Sequence, residues 1–404
     1  MLQGTRIIEL SEGVAGPLAA LRLADLGADV IKVERAEGDW MRDAEPLMAN
    51  GMSAAFFALN RGKRCLALGS DPSAASELLL RLLADADAFI VDGGEAQAES
   101  LGFAEALRPN WGRNPGLVVV DVSIWGENGP MAALPGSELT VQAMAGYTRY
   151  LGSADEAPKR LGADVAGASA SAFAVQAALA ALYARDRRNG SRAGQQVSVS
   201  MLNALISMKS IHLAAQSDPD QYAGPRVGGA HYPPEKGWRT ADRPIFFAFG
   251  GSVGEEGRPG WTDFVTEIGL DDLLKNDQLD RNGRNSTGHG SMVNAMRPAY
   301  EERFAQFSAA DLVGRIRKLG ANAAVYMRAD ETLADPQTVA MDLISEDPES
   351  RRQVLKFPAR FANVQLQQRF DAPELGKDSE MIARELGFSR AEFAELQARG
   401  ALAM

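Results

Sequence analysis

The fold is decided by residues 6–34, which read RIIELSEGVAGPLAALRLADLGADVIKVE. Arg6–Leu10 has the apolar, β-branched character of a short strand, and Asp29–Glu34 repeats it. The glycine-containing loop between them leads to Pro17, which suits the first turn of a helix over Leu18–Leu26. A strand, a helix and a second strand so close together form a βαβ unit, which requires parallel strands and a right-handed crossover.

Further apolar runs extend this sheet. Strands are predicted at Cys65–Leu68, Ala88–Val91 and Leu117–Val122, and a helix over about Pro72–Ala84 separates the first two. Runs that are apolar on both faces are typical of strands in the middle of a parallel sheet covered by helices. The sequence therefore predicts an α/β fold with a Rossmann-like, doubly wound sheet.

The pattern changes in the second half of the chain. It is mainly helical over Gly136–Leu213, and the Gly- and Pro-rich segment Ala223–Pro234 then marks a boundary. Pro244–Phe249 reads as a strand, and polar helices follow it. We expect a large α/β domain over 1–222, a smaller inserted α+β domain over 223–322, and a linker with a return to the large domain over 323–404.

Composition limits the classes of function. Of 404 residues, 42 are Lys or Arg and 53 are Asp or Glu, so the formal net charge is −11. This charge argues against general binding of nucleic acid or anionic membranes, because phosphates would be repelled, although a local basic patch can still bind an anion. Cys65 is the only cysteine, which excludes a disulfide framework and a cysteine-rich zinc site. The apolar stretch Val165–Ala184 reads as a buried helix. No secretory leader is read at the N-terminus, and we therefore expect a cytoplasmic protein.

Two segments are candidates for binding an anionic ligand. The loop Ser11–Pro17 connects a strand to a helix, where a phosphate would meet backbone amides. It lacks the GxGxxG pattern, so we reject NAD binding, and a tight turn is the alternative interpretation. Asn60–Arg64 places three cations beside a strand, and Arg35 directly follows another. These cations favour a phosphorylated ligand, with a solvated charge run as the alternative.

Asp164 is the most informative single residue. It precedes a long apolar segment, with no charged residue before Arg185. We expect Asp164 to cap that helix with its carboxylate held by backbone amides, a state in which it could act as a nucleophile in a site that excludes water. A helix cap and nothing more is the alternative. His231 lies in a Gly- and Pro-rich loop, where a lone histidine is more often structural than catalytic, and no G-x-S-x-G motif supports hydrolysis.

Several segments follow one another along the chain in a family-like order: Gly16–Pro17, Leu26–Glu34, Asn60–Arg64, Trp125–Pro130, Gln142–Gly146, Asp164–Gly167, Ala181–Arg185, Gly194–Ser200 and Ala334–Gln337. Together they resemble the class III CoA-transferase family, which includes formyl-CoA transferase, carnitine CoA-transferase and α-methylacyl-CoA racemase. The resemblance covers nearly the whole chain.

The resemblance implies a two-domain chain, with the large domain built from both chain ends, and two chains threaded into an interlocked homodimer. It implies that Asp164 attacks the thioester of a donor acyl-CoA and passes through an aspartyl-acyl anhydride and an aspartyl-CoA thioester. CoA and acyl-CoA would be substrates, with no cofactor bound permanently, and a small carboxylic acid would accept CoA.

The resemblance also implies positions for the ligands. It places the CoA nucleotide near Ala15, Arg35 and Leu68, and the substrate near Gly228 and Gly229. No metal site is implied.

The sequence departs from the family pattern at two points that bear on CoA. The family's E-N-F-x-P-G segment with a following basic residue is replaced within Val91–Phe103, and its Leu-Asp-x-Lys segment reads Leu68–Asp71 here. Acids therefore stand near the expected CoA phosphates, which leaves open altered CoA binding or a partner-dependent, non-catalytic paralogue. An acyl-CoA racemase is the other alternative, but Ser137 stands where the racemases carry a histidine, and serine is no base at neutral pH.

Overall fold

The structure of the chain is a computed structural model that describes residues 1–108, 111–148, 157–187, 190, 192–217, 237–248, 260–275 and 290–403. The described strands are β1 Arg6–Leu10, β2 Asp29–Glu34, β3 Arg64–Ala67, β4 Ala88–Val91, β5 Val118–Ser123, β6 Gln196–Ser200, β7 Ile245–Ala248, β8 Asn322–Val325, β9 Ile344–Glu346 and β10 Gln353–Leu355. The described α-helices are α1 Ala15–Asp25, α2 Ala54–Asn60, α3 Pro72–Ala84, α4 Gly94–Ser100, α5 Glu138–Met144, α6 Val165–Asp186, α7 Met201–Ser207, α8 Ser210–Ala215, α9 Trp261–Glu267, α10 Gly290–Phe304, α11 Ala309–Lys318, α12 Ala329–Ala334, α13 Pro336–Ala340, α14 Ser379–Glu385 and α15 Arg390–Ala398.

The first six strands form one parallel sheet in the order β3-β2-β1-β4-β5-β6. The chain builds outward from β1 to β3, returns to the other side of β1 with β4, and continues to β6. The strand order therefore reverses between β1 and β4, where Leu10 pairs with Val91 at the carboxyl ends. The predicted α/β fold with a covered parallel sheet is confirmed.

Helices cover both faces of this sheet because its strands are apolar on both faces. Ile7, Val30 and Val118 pack on one face with the buried side chains of α1 and α6. Ile8 and Val119 pack on the other face with those of α3, α14 and α15. By length and composition α6 could cross a membrane, yet its alanines, such as Ala170, Ala174 and Ala178, are buried against the sheet.

The first helix begins three residues earlier than the sequence pattern predicts. The structure starts α1 at Ala15, so that Pro17 lies inside the first turn. A proline is tolerated there because the first-turn amides have no acceptor within the helix. The turn is closed instead by the Leu18 amide, which donates to the Val14 carbonyl at 2.9 Å.

The chain divides into two compact units: 1–148, 160–208 and 341–404 form one, and 149–159 and 209–340 form the other. The first unit contains the six-stranded sheet. In the second, β7 and β8 pair antiparallel over an aromatic core that includes Trp238, Phe247 and Tyr300. The domain boundaries at 222 and 322 and the interlocked dimer stay predictions.

Candidate active site

Asp164 occupies the N-cap position of α6, but its carboxylate does not cap the helix. The residue immediately precedes Val165, and no hydrogen bond joins its side chain to a first-turn amide. Its Oδ1 accepts instead from an Nη of Arg160 at 2.9 Å, and its side chain is 43% exposed. The expectation that backbone amides hold the Asp164 carboxylate is therefore wrong.

The amides at the start of α6 are bound by Glu138, from the first turn of α5. Glu138 Oε1 accepts from the Ala166 amide at 2.8 Å, and Oε2 accepts from the Gly167 amide at 2.9 Å. A carboxylate in this position is favoured by the helix dipole and by two charge-assisted hydrogen bonds. Glu138 thus takes the role that the sequence analysis gave to Asp164, and the Asp164 carboxylate stays at the surface.

Gln142 fixes the segment that leads to Asp164. This fully buried side chain donates through Nε2 to Glu138 Oε1 at 2.8 Å and to the Ala163 carbonyl at 3.1 Å. Its Oε1 accepts from the Leu161 amide at 3.0 Å. Sequence reasoning missed both Glu138 and Gln142 as site residues. Their spacing of four places two polar side chains on one face of the same helix, beside apolar Val141, and this pattern was the signal that could have indicated them.

Ser137 begins α5 as its N-cap. Its Oγ accepts from the Thr140 amide at 3.3 Å, and its own amide donates to Thr140 Oγ1 at 2.7 Å. This reciprocal pair is a capping box, which satisfies amides that the helix itself leaves without an acceptor. Ser137 thereby fixes the start of the helix that carries Glu138 and Gln142.

The start of α6 lies against the loop that follows β1. A Cβ placed on Gly167 would lie 3.1 Å from the side chain of Val14, which is the N-cap of α1. That spacing is tighter than ordinary van der Waals contact, so a residue without a side chain allows the two helix starts to approach each other. Asp164 and Ala15 therefore belong to neighbouring segments.

The predicted nucleotide residues lie at the carboxyl edge of the sheet. Ala15 is the buried first residue of α1, and exposed Arg35 directly follows β2. Leu68 follows β3, is buried, and donates its amide to the Glu34 carbonyl at 2.7 Å. In open parallel sheets ligands bind outside this edge. Gly228 and Gly229 lie outside the described residues, as does His231.

The cations of Asn60–Arg64 are held by the chain's own carboxylates, so their interpretation as a solvated charge run is wrong, whereas binding of a phosphorylated ligand stays a prediction. Arg61 forms two hydrogen bonds to Asp25, at 2.7 and 3.1 Å, and both side chains are buried. Arg64 donates to Asp29 at 2.5 Å. A buried carboxylate such as that of Asp25 requires a partner of opposite charge, which explains why Arg61 turns inward.

Lys63 belongs to a buried ion cluster between β1 and β2. Its Nζ lies 2.7 Å from Glu9 Oε2, and Lys32 Nζ lies 3.1 Å from Glu9 Oε1. Burial alone would raise the pKa of Glu9, but Lys32 and Lys63 hold that pKa below its usual value. Burial also lowers the pKa of Lys63 to about 8, against the opposing influence of Glu9.

Two carboxyls at the carboxyl edge have raised pKa values. Asp92, at the end of β4, accepts through Oδ2 from the Glu12 amide at 2.8 Å. Burial raises its pKa to about 7. Asp121 on β5 is 4% exposed, and its Oδ1 has no hydrogen-bond partner among the described residues. Burial, followed by the charge of Glu127, raises the pKa of Asp121 to about 6.

Comparisons with known proteins identify the family. The profile of CoA-transferase family III matches residues 2–379. The chain belongs to CoA-transferase family III. The resemblance drawn from the sequence is confirmed.

Family relatives of defined name align at moderate identity. Succinate–glutarate CoA-transferase of Agrobacterium fabrum is 29% identical, with 95% of each chain covered. Formyl-CoA:oxalate CoA-transferase of Streptomyces coelicolor is 30% identical over 64% of this chain and 59% of that protein, so this match spans less than two thirds of the relative. A CaiB/BaiF family protein from Brucella suis has a solved structure with a TM-score of 0.79 at 28% identity, covering 95% of this chain and 99% of that one.

In this family III chain the described site is built from side chains and backbone amides. No group of His, Cys, Asp or Glu that could hold a metal ion occurs among the residues the structure describes. Glu138, Gln142 and Ser137 fix the segment that carries Asp164, while the loop after β1 lies beside it.

Proposed function

We propose that the chain is a CoA-transferase that moves CoA from an acyl-CoA donor to a carboxylic acid acceptor through a covalent intermediate on Asp164. One observation carries the proposal. Glu138 occupies the amides at the start of α6, so the Asp164 carboxylate lies at the surface, where an oxygen can reach a thioester. The names of the relatives support transfer between acyl-CoA and small acids.

The proposed reaction balances without water. A carboxylate oxygen of Asp164 attacks the thioester carbonyl, the C–S bond breaks, and CoA leaves as a thiolate, giving an aspartyl-acyl anhydride. The thiolate attacks the aspartyl carbonyl and releases the donor acid. The acceptor carboxylate then attacks the aspartyl-CoA thioester, the C–S bond breaks, and CoA leaves again as a thiolate, giving an aspartyl-acceptor anhydride. The thiolate attacks the acceptor carbonyl of this anhydride, which forms the new acyl-CoA and restores the Asp164 carboxylate.

An anhydride requires shelter from water, because it hydrolyses readily. Asp164 is 43% exposed in a single chain. We infer that the active form is a homodimer in which the second copy covers this region, and we place the enzyme in the cytoplasm. Sedimentation of the full chain tests the dimer; a monomer with full transfer activity would refute it.

The decisive experiment combines a transfer screen with trapping of the intermediate. Formyl-, succinyl- and glutaryl-CoA are offered as donors with oxalate, succinate and glutarate as acceptors. Hydroxylamine or borohydride treatment during turnover, followed by mass spectrometry, should label Asp164. Asp164→Asn should abolish both label and transfer, whereas Asp186→Asn, at the other end of α6, should retain both. Transfer by Asp164→Asn at the wild-type rate would exclude the covalent route.

The racemase alternative has no support from the geometry around Ser137. The serine hydroxyl caps α5, and it is not a base at neutral pH. We expect no solvent deuterium at the α-carbon of a 2-methylacyl-CoA. Deuterium incorporation at a rate comparable with transfer would favour the isomerase.

A further inference from the structure

The crevice between β1 and β4 is where a nucleotide would meet this sheet. The strand order reverses at these two strands, and open parallel sheets bind ligands at such a point, outside the carboxyl ends. The loops that leave β1 and β4, Ser11–Val14 and Asp92–Gly93, begin side by side because Leu10 pairs with Val91. The first turn of α1 contains no acidic residue.

The chain places a carboxylate of its own in this crevice. Asp92 Oδ2 accepts a hydrogen bond from the Glu12 amide at 2.8 Å, so the loop amide is bound by an internal anion. Burial, together with the charges of Glu12 and Glu9, raises the pKa of Asp92 to about 7. The hydrogen bond from the Glu12 amide and the charge of Lys32 act in the opposite direction and lower this pKa. Near neutral pH the group changes from neutral to negative as pH rises.

Two neighbouring lysines, Lys32 and Lys63, are engaged with other carboxylates. Lys32 lies 3.1 Å from Glu9 and 3.0 Å from Asp39, and all three side chains are fully buried. Lys63 lies 2.7 Å from Glu9 as well. A phosphate in the crevice would have to break these ion pairs to use either lysine, which would leave buried carboxylates without partners.

We propose that Asp92 is a specificity-determining residue that opposes the phosphates of the CoA nucleotide, so that the chain recognises its thioester substrate chiefly through the pantetheine arm. The inference rests on the proposed function, because it concerns the same thioester site. It implies that the affinity for CoA falls as pH rises through neutrality. It also implies that removal of the 3′-phosphate from CoA weakens binding less than threefold.

Calorimetric titration of the full chain tests this role. CoA, 3′-dephospho-CoA and pantetheine are titrated at pH 6 and pH 8 into the wild type and three variants. Asp92→Asn retains an oxygen that can accept from the Glu12 amide but removes the charge, and Asp92→Glu retains the charge. Asp85→Asn is the matched control, because Asp85 precedes β4 at the opposite edge of the sheet from Asp92, and β4 itself is ~13 Å long.

At pH 8 we expect Asp92→Asn to bind CoA at least fivefold more tightly than the wild type, and at pH 6 within twofold. Asp92→Glu and Asp85→Asn should resemble the wild type, and pantetheine should bind all four proteins equally. The inference would be overturned by an unchanged CoA affinity in Asp92→Asn or by an equal gain of CoA affinity in Asp85→Asn. An equal gain of pantetheine affinity in Asp92→Asn would overturn it too. In each case transfer activity would still support the proposed function. Binding of CoA to none of the proteins would overturn both.

Discussion

The carboxylate of Glu138 accepts a hydrogen bond from the amide of Gly167 at 2.9 Å, across the junction of α5 and α6. Its other oxygen accepts from the Ala166 amide. One side chain thus satisfies two amides that α6 cannot satisfy itself, and it joins the helix that follows Asp164 to the helix that carries Gln142. The position of Asp164 depends on a residue that lies far from it in sequence.

Replacing Glu138 should therefore affect stability and transfer together. We expect Glu138→Ala to lower the free energy of unfolding by about 1–2 kcal/mol, the usual cost of a lost helix cap. Glu138→Gln retains one acceptor oxygen and should lose about half as much. Because Asp164 would lose its fixed position, kcat should fall at least tenfold in the alanine variant with a smaller change in KM.

Urea unfolding and steady-state transfer kinetics measure these effects. Glu380→Ala is the control, since Glu380 forms an exposed pair with Arg384 on α14 and such pairs contribute little. An alanine variant at position 138 with wild-type stability would refute the assigned cap.

Ser137 makes a distinct prediction, because its hydroxyl caps α5. Ser137→Ala should lower stability by about 1 kcal/mol, and Ser137→Asp should recover most of the loss, since aspartate is an equally good N-cap. Thermal unfolding and transfer assays of both variants check this. A loss of transfer in Ser137→Asp despite recovered stability would indicate that the hydroxyl itself takes part in the reaction.

Variants at Lys63 and Arg35 distinguish a cation that stabilises the fold from a cation that is predicted to bind CoA. Lys63→Met removes one of the two lysines on buried Glu9 and should cost about 3–5 kcal/mol, the usual loss when one partner of a buried ion pair is removed. Arg35→Ala concerns an exposed residue and should change stability by less than about 0.5 kcal/mol. We expect Arg35→Ala to weaken CoA binding by less than threefold, because the nucleotide contributes little to the affinity.

Chemical denaturation and CoA titration of the two variants measure this contrast. Stable, folded Lys63→Met with strongly weakened CoA binding would assign Lys63 to the ligand instead of the ion cluster.

The strands could be predicted from the sequence because their signal is local. The predicted Arg6–Leu10, Asp29–Glu34 and Ala88–Val91 agree with β1, β2 and β4 to the residue, since continuous apolar runs between turns leave little freedom. The N-cap position of Asp164 was also predicted correctly, because an apolar segment with no charged residue before Arg185 begins directly after it.

The partners of the polar groups could not be predicted in this way. Arg61 pairs with Asp25 only because α1 and the segment before β3 are packed together, and no spacing in the sequence records that contact. The same holds for Glu138, whose amide partners lie 28 and 29 residues further along the chain. Hydrophobic periodicity in the sequence predicts where helices and strands lie. Whether Glu138 or Asp164 binds the first amides of α6 depends on how the helices pack.

Asp121 should make the stability of the protein depend on pH. Its carboxyl is buried on β5, Oδ1 has no hydrogen-bond partner among the described residues, and its pKa is raised to about 6 from 3.8. A raised folded-state pKa means that the folded chain binds the proton more tightly than the unfolded chain. Stability linked to this group is thus fully present below pH 3.8, falls between about pH 4 and 6, and is absent above that range, a difference of about 3 kcal/mol.

Asp121→Asn removes the titration and should stabilise the protein at pH 8 relative to the wild type, with the advantage shrinking as pH falls through 6 towards 4. Denaturant unfolding of both proteins at several pH values measures the difference. Asp85→Asn, which alters an exposed carboxylate paired with Arg6, should show no such pH-dependent gain. A constant difference between Asp121→Asn and the wild type from pH 4 to pH 8 would show that the buried carboxyl does not titrate in this range.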